Sequence, residues 1–411
     1  MLSGLTIRGR CLLAAGVAAG ICALVLDERD LLRVSAFVIA LPLLALFLAG
    51  RVRFGLRGRR RVDPPRVPVG SPAQVELHLT NGRLPVEGLI LEDDTPHALG
   101  NRPRFRLNAL RGNGARLDYT VTPSLRGIHQ IGPLRTWIGD PFGLARYERE
   151  LTDRSRLVAI PKVFELSGLP PGSGLGTGEN GTAKTRAGHG NDDSMVREYR
   201  HGDDIRRVHW KSTARRDELM VRVEERPWQG GVTVLLDRRS AAHRGAGADN
   251  SVEWAISAAA SICLHLDKHG QQVRLLTEDG WPLTRDAETF DDGQDDAVLD
   301  SLAAVRPSPQ RDLFCNRDPG EGHELIAVLG KITTAGVAEL TRLRPQESHS
   351  LAILLDVPAW GAEGSSQDVH EAAGQLRGAG WAVAIAEGPR TPIPEVWRRL
   401  CHEVPAREVA R

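Results

Sequence analysis

The sequence predicts a chain of three parts: two apolar helices, a small antiparallel β-sandwich and a C-terminal α/β domain. Two uncharged apolar stretches lie near the N-terminus. Short alternating strand patterns rich in Pro and Gly follow, and strand and helix patterns then alternate to the end of the 411-residue chain. The predicted boundaries are residues 1–61 for the helix pair with its basic flanks, 62–165 for the sandwich, 166–190 for a Gly-rich linker, 191–230 for a motif-bearing segment and 231–411 for the α/β domain.

Composition excludes several functional classes. The net charge is +1, so the chain lacks the positive excess that neutralises nucleic-acid phosphates, and we expect no nucleic-acid partner. The five cysteines are scattered without C-x-x-C spacing, which predicts neither a zinc site nor a disulfide framework. We expect no cofactor.

The two N-terminal apolar stretches have the composition of transmembrane helices. Residues 11–26 and 34–50 are uncharged, and each is slightly shorter than the roughly 20 residues that a spanning helix prefers. Eight arginines flank the outer ends, against two near the short connecting loop. The positive-inside rule then places both termini and the soluble domains in the cytoplasm. The sequence predicts a multi-pass protein of the cell membrane, with the lipid bilayer as a partner.

Two alternatives apply to this region. The first stretch could be the apolar part of a cleaved signal peptide, but the second stretch ends in an arginine cluster and reads as a stop-transfer segment, which favours the hairpin. The arginines between residues 51 and 61 could also bind the membrane surface. Setting the topology and contacting anionic headgroups is already a sufficient role for them.

The linker contains a false nucleotide signature. Gly176, Gly178 and Gly181 fit G-x-G-x-x-G, but a dinucleotide site needs a strand before the glycines and a helix after them. Here two prolines precede the glycines, and no apolar face follows. A phosphate-binding P-loop would need Lys where Thr182 stands, so we interpret the segment as a loop.

The most informative segment spans residues 195–228, which read as strand, turn, helical turn and strand. Between Arg197 and Arg226 there are nine Lys/Arg and seven Asp/Glu, so most arginines can pair with carboxylates. Guanidinium groups that fork onto carboxylates fix geometry strongly, which favours a structural or binding network over a nucleic-acid site. The predicted network comprises Arg197, Tyr199, Arg200, Gly202, Asp203, Asp204, Arg206, His209, Trp210, Ala214 and Arg215.

The same segment carries a family resemblance. Its R-E-Y-R-H-G-D-D-I-R-R-V-H-W-K-S-T-A-R run resembles the signature Y-R-x-G-D-x-x-R-x-I-x-W-x-x-[ST]-A-R of the domain of unknown function 58 family, with Val208 in the Ile place. A second match, R-G…G-P…D-P-F-G-L, comes earlier in the expected order at Arg126-Gly127, Gly132-Pro133 and residues 140–144. The resemblance leaves the biochemical activity open.

The last domain begins with an apolar run at residues 232–236, suited to a strand buried on both faces. The following order of strands and helices predicts a mainly parallel sheet covered by helices on both faces. The domain resembles a von Willebrand factor type A domain, which can hold Mg²⁺ through D-x-S-x-S after its first strand. Here those positions read Asp237, Arg239 and Ala241, so both serines are missing. We therefore expect a degenerate metal site without metal.

Two functional hypotheses follow. The resemblance implies a membrane-tethered scaffold or adaptor, without enzymatic activity of its own, that acts with a MoxR-type AAA+ ATPase in a cell-envelope or complex-assembly process. The alternative is a hydrolase-like enzyme, because a His oriented by a carboxylate and facing a hydroxyl follows nucleophile–base logic. The candidate residues for that alternative are His209, Asp203 and Ser212.

Overall fold

The structure is a computed structural model, and it divides into two compact units that are described separately. One unit comprises residues 1–163, 246–248 and 299–306, and the other comprises the rest of the chain. The residues that the structure describes are 4–81, 86–110, 114–140, 142–170, 195–198, 220–223, 231–283, 294–315, 324–344, 350–361 and 364–403.

Two apolar helices open the first unit, as predicted. Helix α1 (Ile7–Leu26) and helix α2 (Arg29–Gly55) are each long and apolar enough to cross a membrane. Large apolar side chains on both helices are exposed, including Ile21, Phe37 and Phe47. These helices suggest membrane association. The orientation of the termini stays a prediction.

The two helices pack closely through small residues. A β-carbon at Gly16 would lie 2.7 Å from Ile39 Cγ1, and one at Gly20 would lie 2.7 Å from Ser35 Oγ. Ser35 Oγ also donates a hydrogen bond to the Gly16 carbonyl at 2.9 Å. Glycines four residues apart let helix backbones approach within an apolar environment, so this G-x-x-x-G face holds the hairpin together.

In the described part of the first unit, three sheets follow the hairpin, which confirms the strand-rich prediction. The sheet orders are β1-β3-β6, β5-β4-β8-β9 and β2-β10-β7, with all pairs antiparallel except β2–β10. Leu77 and Leu79 of the first sheet share an apolar core with Leu89 and Leu91 of the second. The strands are β1 (Arg57–Asp63), β2 (Arg66–Pro68), β3 (Ala73–Thr80), β4 (Val86–Asp93), β5 (Arg104–Leu110), β6 (Ala115–Val121), β7 (Gly127–Ile131), β8 (Leu134–Gly139), β9 (Arg146–Thr152) and β10 (Ser155–Ile160).

One of the flanking arginines is part of the folded interior. Arg60 lies on β1 with a side chain only 1% exposed, and it forms a two-pronged ion pair with the buried carboxylate of Asp93. Its Nη1 also donates to the Ile131 carbonyl at 2.9 Å, and Tyr119 donates to Asp93 at 2.6 Å. Interpreting the whole 51–61 arginine cluster as membrane-facing was therefore wrong for Arg60, because the alternating strand turns this residue inward.

The C-terminal unit contains the predicted parallel sheet with helices. Its order is β14-β13-β15-β16-β17, and every pair is parallel. The strands are β13 (Gly231–Leu236), β14 (Gln272–Thr277), β15 (Glu324–Leu329), β16 (Ser350–Leu355) and β17 (Trp381–Ala386). The helices that alternate with them along the chain are α3 (Ser251–Lys268), α4 (Gln294–Ala304), α5 (Thr334–Leu343), α6 (Ser366–Gly378) and α7 (Ile393–His402). Residues of α4 from 299 onward belong to the first unit.

The motif-bearing segment is described only at its ends. Strand β11 (Met195–Glu198) pairs antiparallel with β12 (Met220–Val223), and Arg197 lies opposite Val221. Both strands fall within the strand regions predicted from sequence. Residues 199–219 between them lie outside the described part of the chain.

Candidate functional site

The predicted network residues fall almost entirely outside the described residues. Arg197 is placed in β11 by its backbone, whereas the others lie in the 199–219 segment. The same holds for His209, Asp203 and Ser212 of the hydrolase alternative. The arrangement of these side chains therefore stays a prediction, and the candidate site described below is built from the C-terminal sheet.

The strand order singles out one edge of this sheet. The chain moves from β13 to β14 on one side and then returns to place β15 on the other side, so the connections reverse between β13 and β15. In doubly wound sheets, ligands bind beyond the carboxyl ends of the strands at such a switch point. Asp237 follows β13 and Gly330 follows β15, so both residues lie at this point.

Asp237 is fully buried and saturated with hydrogen bonds. Arg239 donates from Nε to Oδ1 at 2.9 Å and from Nη2 to Oδ2 at 2.8 Å, and its backbone N–H donates to Oδ1 at 3.0 Å. The Gly330 N–H donates to Oδ2 at 3.1 Å. The Arg239 side chain is itself only 2% exposed, so the charge of the carboxylate is neutralised inside the protein.

Arg239 also ties this loop to its neighbours. Its Nη1 donates to the Arg311 carbonyl at 3.1 Å, and its Nη2 donates to the Lys331 carbonyl at 3.2 Å. Ser308 pairs with the same loop, since Ser240 N donates to Ser308 O at 2.8 Å. One guanidinium therefore joins three loops at the carboxyl edge of the sheet.

These residues do not fit a bound Mg²⁺ ion. Magnesium needs several oxygen ligands in near-octahedral geometry, and both Asp237 oxygens already accept hydrogen bonds from a cationic side chain. Arg239 is buried against Asp237, so an approaching cation would meet a buried positive charge. Among the described residues, no group of three or more His, Cys, Asp or Glu could hold a metal.

A histidine and a serine beside this loop were not singled out from the sequence. His243 Nε2 lies 2.8 Å from the Asp237 carbonyl, and Nδ1 lies 3.0 Å from Ser251 Oγ. Because a carbonyl can only accept, Nε2 carries the proton and Nδ1 accepts from Ser251. Burial lowers the pKa of His243, which favours this neutral form. Ser251 is fully buried, so the pair braces the loop against helix α3 and is closed to a substrate.

A buried carboxyl group lies at the end of the neighbouring strand. Glu278 follows β14, its side chain is fully buried, and its Oε2 accepts a hydrogen bond from the Arg238 backbone N–H at 3.3 Å. Burial raises the pKa of Glu278. The position after a buried parallel strand is the only sequence signal that could have identified this residue.

A small open cleft lies next to the Asp237 loop. Gly330 and Lys331 line this cleft and also contact the buried ion pair. The Gly330 N–H donates to Asp237, and the Lys331 carbonyl accepts from Arg239. The cleft floor is mainly apolar and includes Ile332, Leu355, Val357 and Val369. At its rim, Lys331 Nζ lies 3.2 Å from Asp368 Oδ2, and both side chains are about half exposed. An apolar floor with an exposed charged rim is suited to binding another molecule.

Comparison with other proteins gives two relevant matches. Residues 195–313 match the profile of the family described as Protein of unknown function DUF58. A curated protein of Bacillus subtilis (strain 168), the Uncharacterized protein YeaD, is 24% identical over 248 residues. That match covers 59% of this chain, and the chain spans 59% of the length of that relative.

Similarity to solved structures is weak. The CARDB domain of a Pyrococcus furiosus protein is 17% identical, and the match covers 25% of this chain and 91% of that domain with a TM-score of 0.19. A PKD domain of an M14-like peptidase from a Thermoplasmatales archaeon is 9% identical, and the match covers 25% of this chain and 92% of that domain with a TM-score of 0.18. These TM-scores are too low to indicate a shared fold. The chain is thus similar, through residues 195–313, to the DUF58 family of proteins of unknown function.

Proposed function

We propose that this protein is a membrane-tethered scaffold or adaptor whose C-terminal domain docks an AAA+ ATPase of the MoxR type. The observation that carries the proposal is the edge of the sheet at Asp237. There the charge is neutralised internally by Arg239, and the adjoining surface is an open apolar cleft with a charged rim. The buried ion pair provides a rigid support, and the cleft beside it provides a surface that a partner can contact.

The partner class comes from the family resemblance. Proteins of this family are commonly encoded beside MoxR-type ATPases, and von Willebrand factor type A-like domains often act with such ATPases. The von Willebrand-like identity of the C-terminal domain belongs to this proposal. The parallel sheet and the position of Asp237 directly after β13 support it. The cytoplasmic location of both termini, which the flanking arginines favour, also belongs to it.

The proposed docking surface is the cleft bordered by Lys331 and Asp368. Hot spots of protein interfaces are apolar pockets surrounded by polar rims, and the floor and rim of this cleft have that arrangement. A charge at the rim also affects how fast a partner associates. Reversing the charge of Lys331 should therefore weaken docking without disturbing the core.

The test is binding of the full-length protein, solubilised from membranes in mild detergent, to the purified MoxR-type ATPase encoded by the same genome. Three forms are compared: wild type, Lys331→Glu and Lys268→Glu. Lys268 is an exposed lysine at the end of α3, toward the opposite edge of the sheet, and serves as a matched control. Binding by wild type and Lys268→Glu with weaker binding by Lys331→Glu would support the proposal.

The role of the motif-bearing segment is tested in the same assay with Arg206→Ala. If the segment joins domains structurally, this variant should melt at a lower temperature. If it contacts the ATPase, the variant should fold normally and bind less. The adaptor proposal is refuted if no ATPase of this class binds the folded wild-type protein with or without nucleotide.

A further inference from the structure

The loop between β8 and β9, residues 140–145, lies against the start of the first apolar helix. Thr6 N donates to the Leu144 carbonyl at 2.9 Å, and Thr6 Oγ1 donates to the Gly143 carbonyl at 2.8 Å. Leu5 and Ala145 form an antiparallel bridge. The loop is therefore hydrogen-bonded to the N-terminal residues at the point where α1 begins.

The antiparallel bridge places the loop beside the first turn of α1. The segments around Leu5 and Ala145 run in opposite directions, and the carbonyl groups of Gly143 and Leu144 both accept hydrogen bonds from Thr6. The tip of the loop therefore lies next to the start of the helix pair.

Packing between the helices shows how far the loop reaches. Gly16 faces Ile39 and Gly20 faces Ser35, so continuing this antiparallel register places Arg10 level with Ala45. Leu144, which is only 7% exposed, packs in a cluster with Ala45 and Leu12. The loop therefore lies where the charged start of α1 gives way to its uncharged run.

The loop holds one large apolar side chain outward. Asp140 Oδ2 accepts a hydrogen bond from the Phe142 N–H at 2.9 Å, and Asp140 Oδ1 accepts one from the Ala145 N–H. Gly143 adopts a positive φ of 68°, which closes the turn. Phe142 is held at the tip by this network with its side chain 62% exposed.

We infer that the exposed tip of this loop, Phe142 and Gly143, forms a lipid-contact surface, with the Phe142 side chain inserted at the boundary between headgroups and acyl chains. The inference rests on the proposed membrane tether, since it requires the hairpin to span the bilayer. Apolar side chains such as Phe bury themselves at this level of a membrane, and arginines at the start of α1 would lie beside the headgroups. Leu144 joins this surface to the helix pair, so the loop would hold the sheets of the first unit close to the membrane.

The test uses a photoreactive diazirine amino acid in place of Phe142, in the full-length protein reconstituted into phosphatidylcholine and phosphatidylglycerol vesicles. After illumination, lipid adducts are measured by mass spectrometry. The control carries the same replacement at Phe314, which is 58% exposed in the C-terminal unit. We expect lipid adducts at residue 142 and only background at residue 314.

A second variant separates the loop from the helix. A β-carbon at Gly9 would overlap the Leu144 carbonyl oxygen, so Gly9→Leu should push the loop off α1. Adducts at residue 142 should then be lost while the protein remains in the membrane after carbonate extraction. Background labelling at residue 142 in a carbonate-resistant wild-type protein overturns the inference and leaves the tether intact. Release of wild type by carbonate refutes the tether itself and the inference with it.

Discussion

Arg239 lies two residues beyond Asp237 and forks its guanidinium onto both carboxylate oxygens, at 2.9 and 2.8 Å. The pair is buried at the switch point of the parallel sheet, where a ligand crevice would otherwise open. Two charges taken out of water are stable there because each also has further hydrogen-bond partners in the backbone. The site is therefore locked by its own side chains.

Removing one partner of this pair should be costly. Arg239→Ala leaves a buried carboxylate without its counter-charge and should lower the free energy of unfolding by about 3–5 kcal/mol. The double variant Asp237→Leu/Arg239→Met removes both charges and should cost less than Arg239→Ala alone. Thermal unfolding of the detergent-solubilised protein measures both. Equal losses in the two variants would show that the hydrogen bonds, and not the unpaired charge, dominate.

Magnesium should have no effect on the stability of the wild-type protein. Both Asp237 oxygens are occupied by hydrogen bonds, so adding millimolar Mg²⁺ or a chelator should leave the melting temperature unchanged. A rise in melting temperature with Mg²⁺ that is lost in Asp237→Asn would contradict this reading of the site.

Gly132 should be required because of its neighbour Arg60. A β-carbon at residue 132 would overlap the Arg60 guanidinium, and the residue also has a φ of +101°. Gly132→Ala should lower the free energy of unfolding by about 1–3 kcal/mol from backbone strain, with a further loss as the Arg60–Asp93 pair is displaced. Gly100→Ala is the matched control, since its φ is +109° and no atom lies within 4 Å of its added β-carbon. Similar losses in both would exclude a role for Arg60.

In the first unit, whether a strand could be predicted from the sequence depends on what its side chains face. Strand β3 was predictable because its apolar residues alternate with polar ones and face a core. Strand β1 was not, because one of its inward residues is an arginine whose partner, Asp93, lies 33 residues further along the chain. An arginine-rich stretch beside an apolar helix has the composition of a membrane flank. Only the tertiary ion pair shows that this stretch is instead a strand of the folded domain.

The candidate site could also be predicted only in part from the sequence. The sequence singled out Asp237, because its place directly after an apolar strand is a local property. It did not identify the cleft at Lys331 and Asp368, where the loop after β15 meets helix α6, 37 residues further along the chain. The geometry of the 199–215 motif residues lies outside the described part of the chain and stays a prediction.

Glu324 should make stability depend on pH. Burial raises the pKa of this carboxyl group from 4.5 to about 7. The folded state therefore holds the proton more tightly than the unfolded state, so this group's contribution to stability falls as pH rises from about 4.5 to about 7. Glu324→Gln does not titrate and should stabilise the protein by about 1–3 kcal/mol at pH 8, with little effect at pH 4. Denaturant titrations of both forms at the two pH values test this, and a gain that is equal at both would contradict it.

The helix pair should depend on its glycine face. Gly16→Leu would force α1 away from Ile39 and should lower the free energy of unfolding in detergent by about 1–3 kcal/mol. Val17→Leu adds bulk on the neighbouring position, whose side chain is 47% exposed, and should be nearly neutral. If both variants melt alike, the close approach of the two helices contributes nothing to stability.

A single residue separates the second apolar helix from the first strand. Helix α2 ends at Gly55, β1 begins at Arg57, and the Leu56 side chain between them is completely buried in the core of the sheets. The Leu56 carbonyl also accepts a hydrogen bond from Arg149 at 3.2 Å. Burial of Leu56 and the Arg149 hydrogen bond both fix this junction. A tilt of the helix pair should therefore be transmitted directly to the attached sheets.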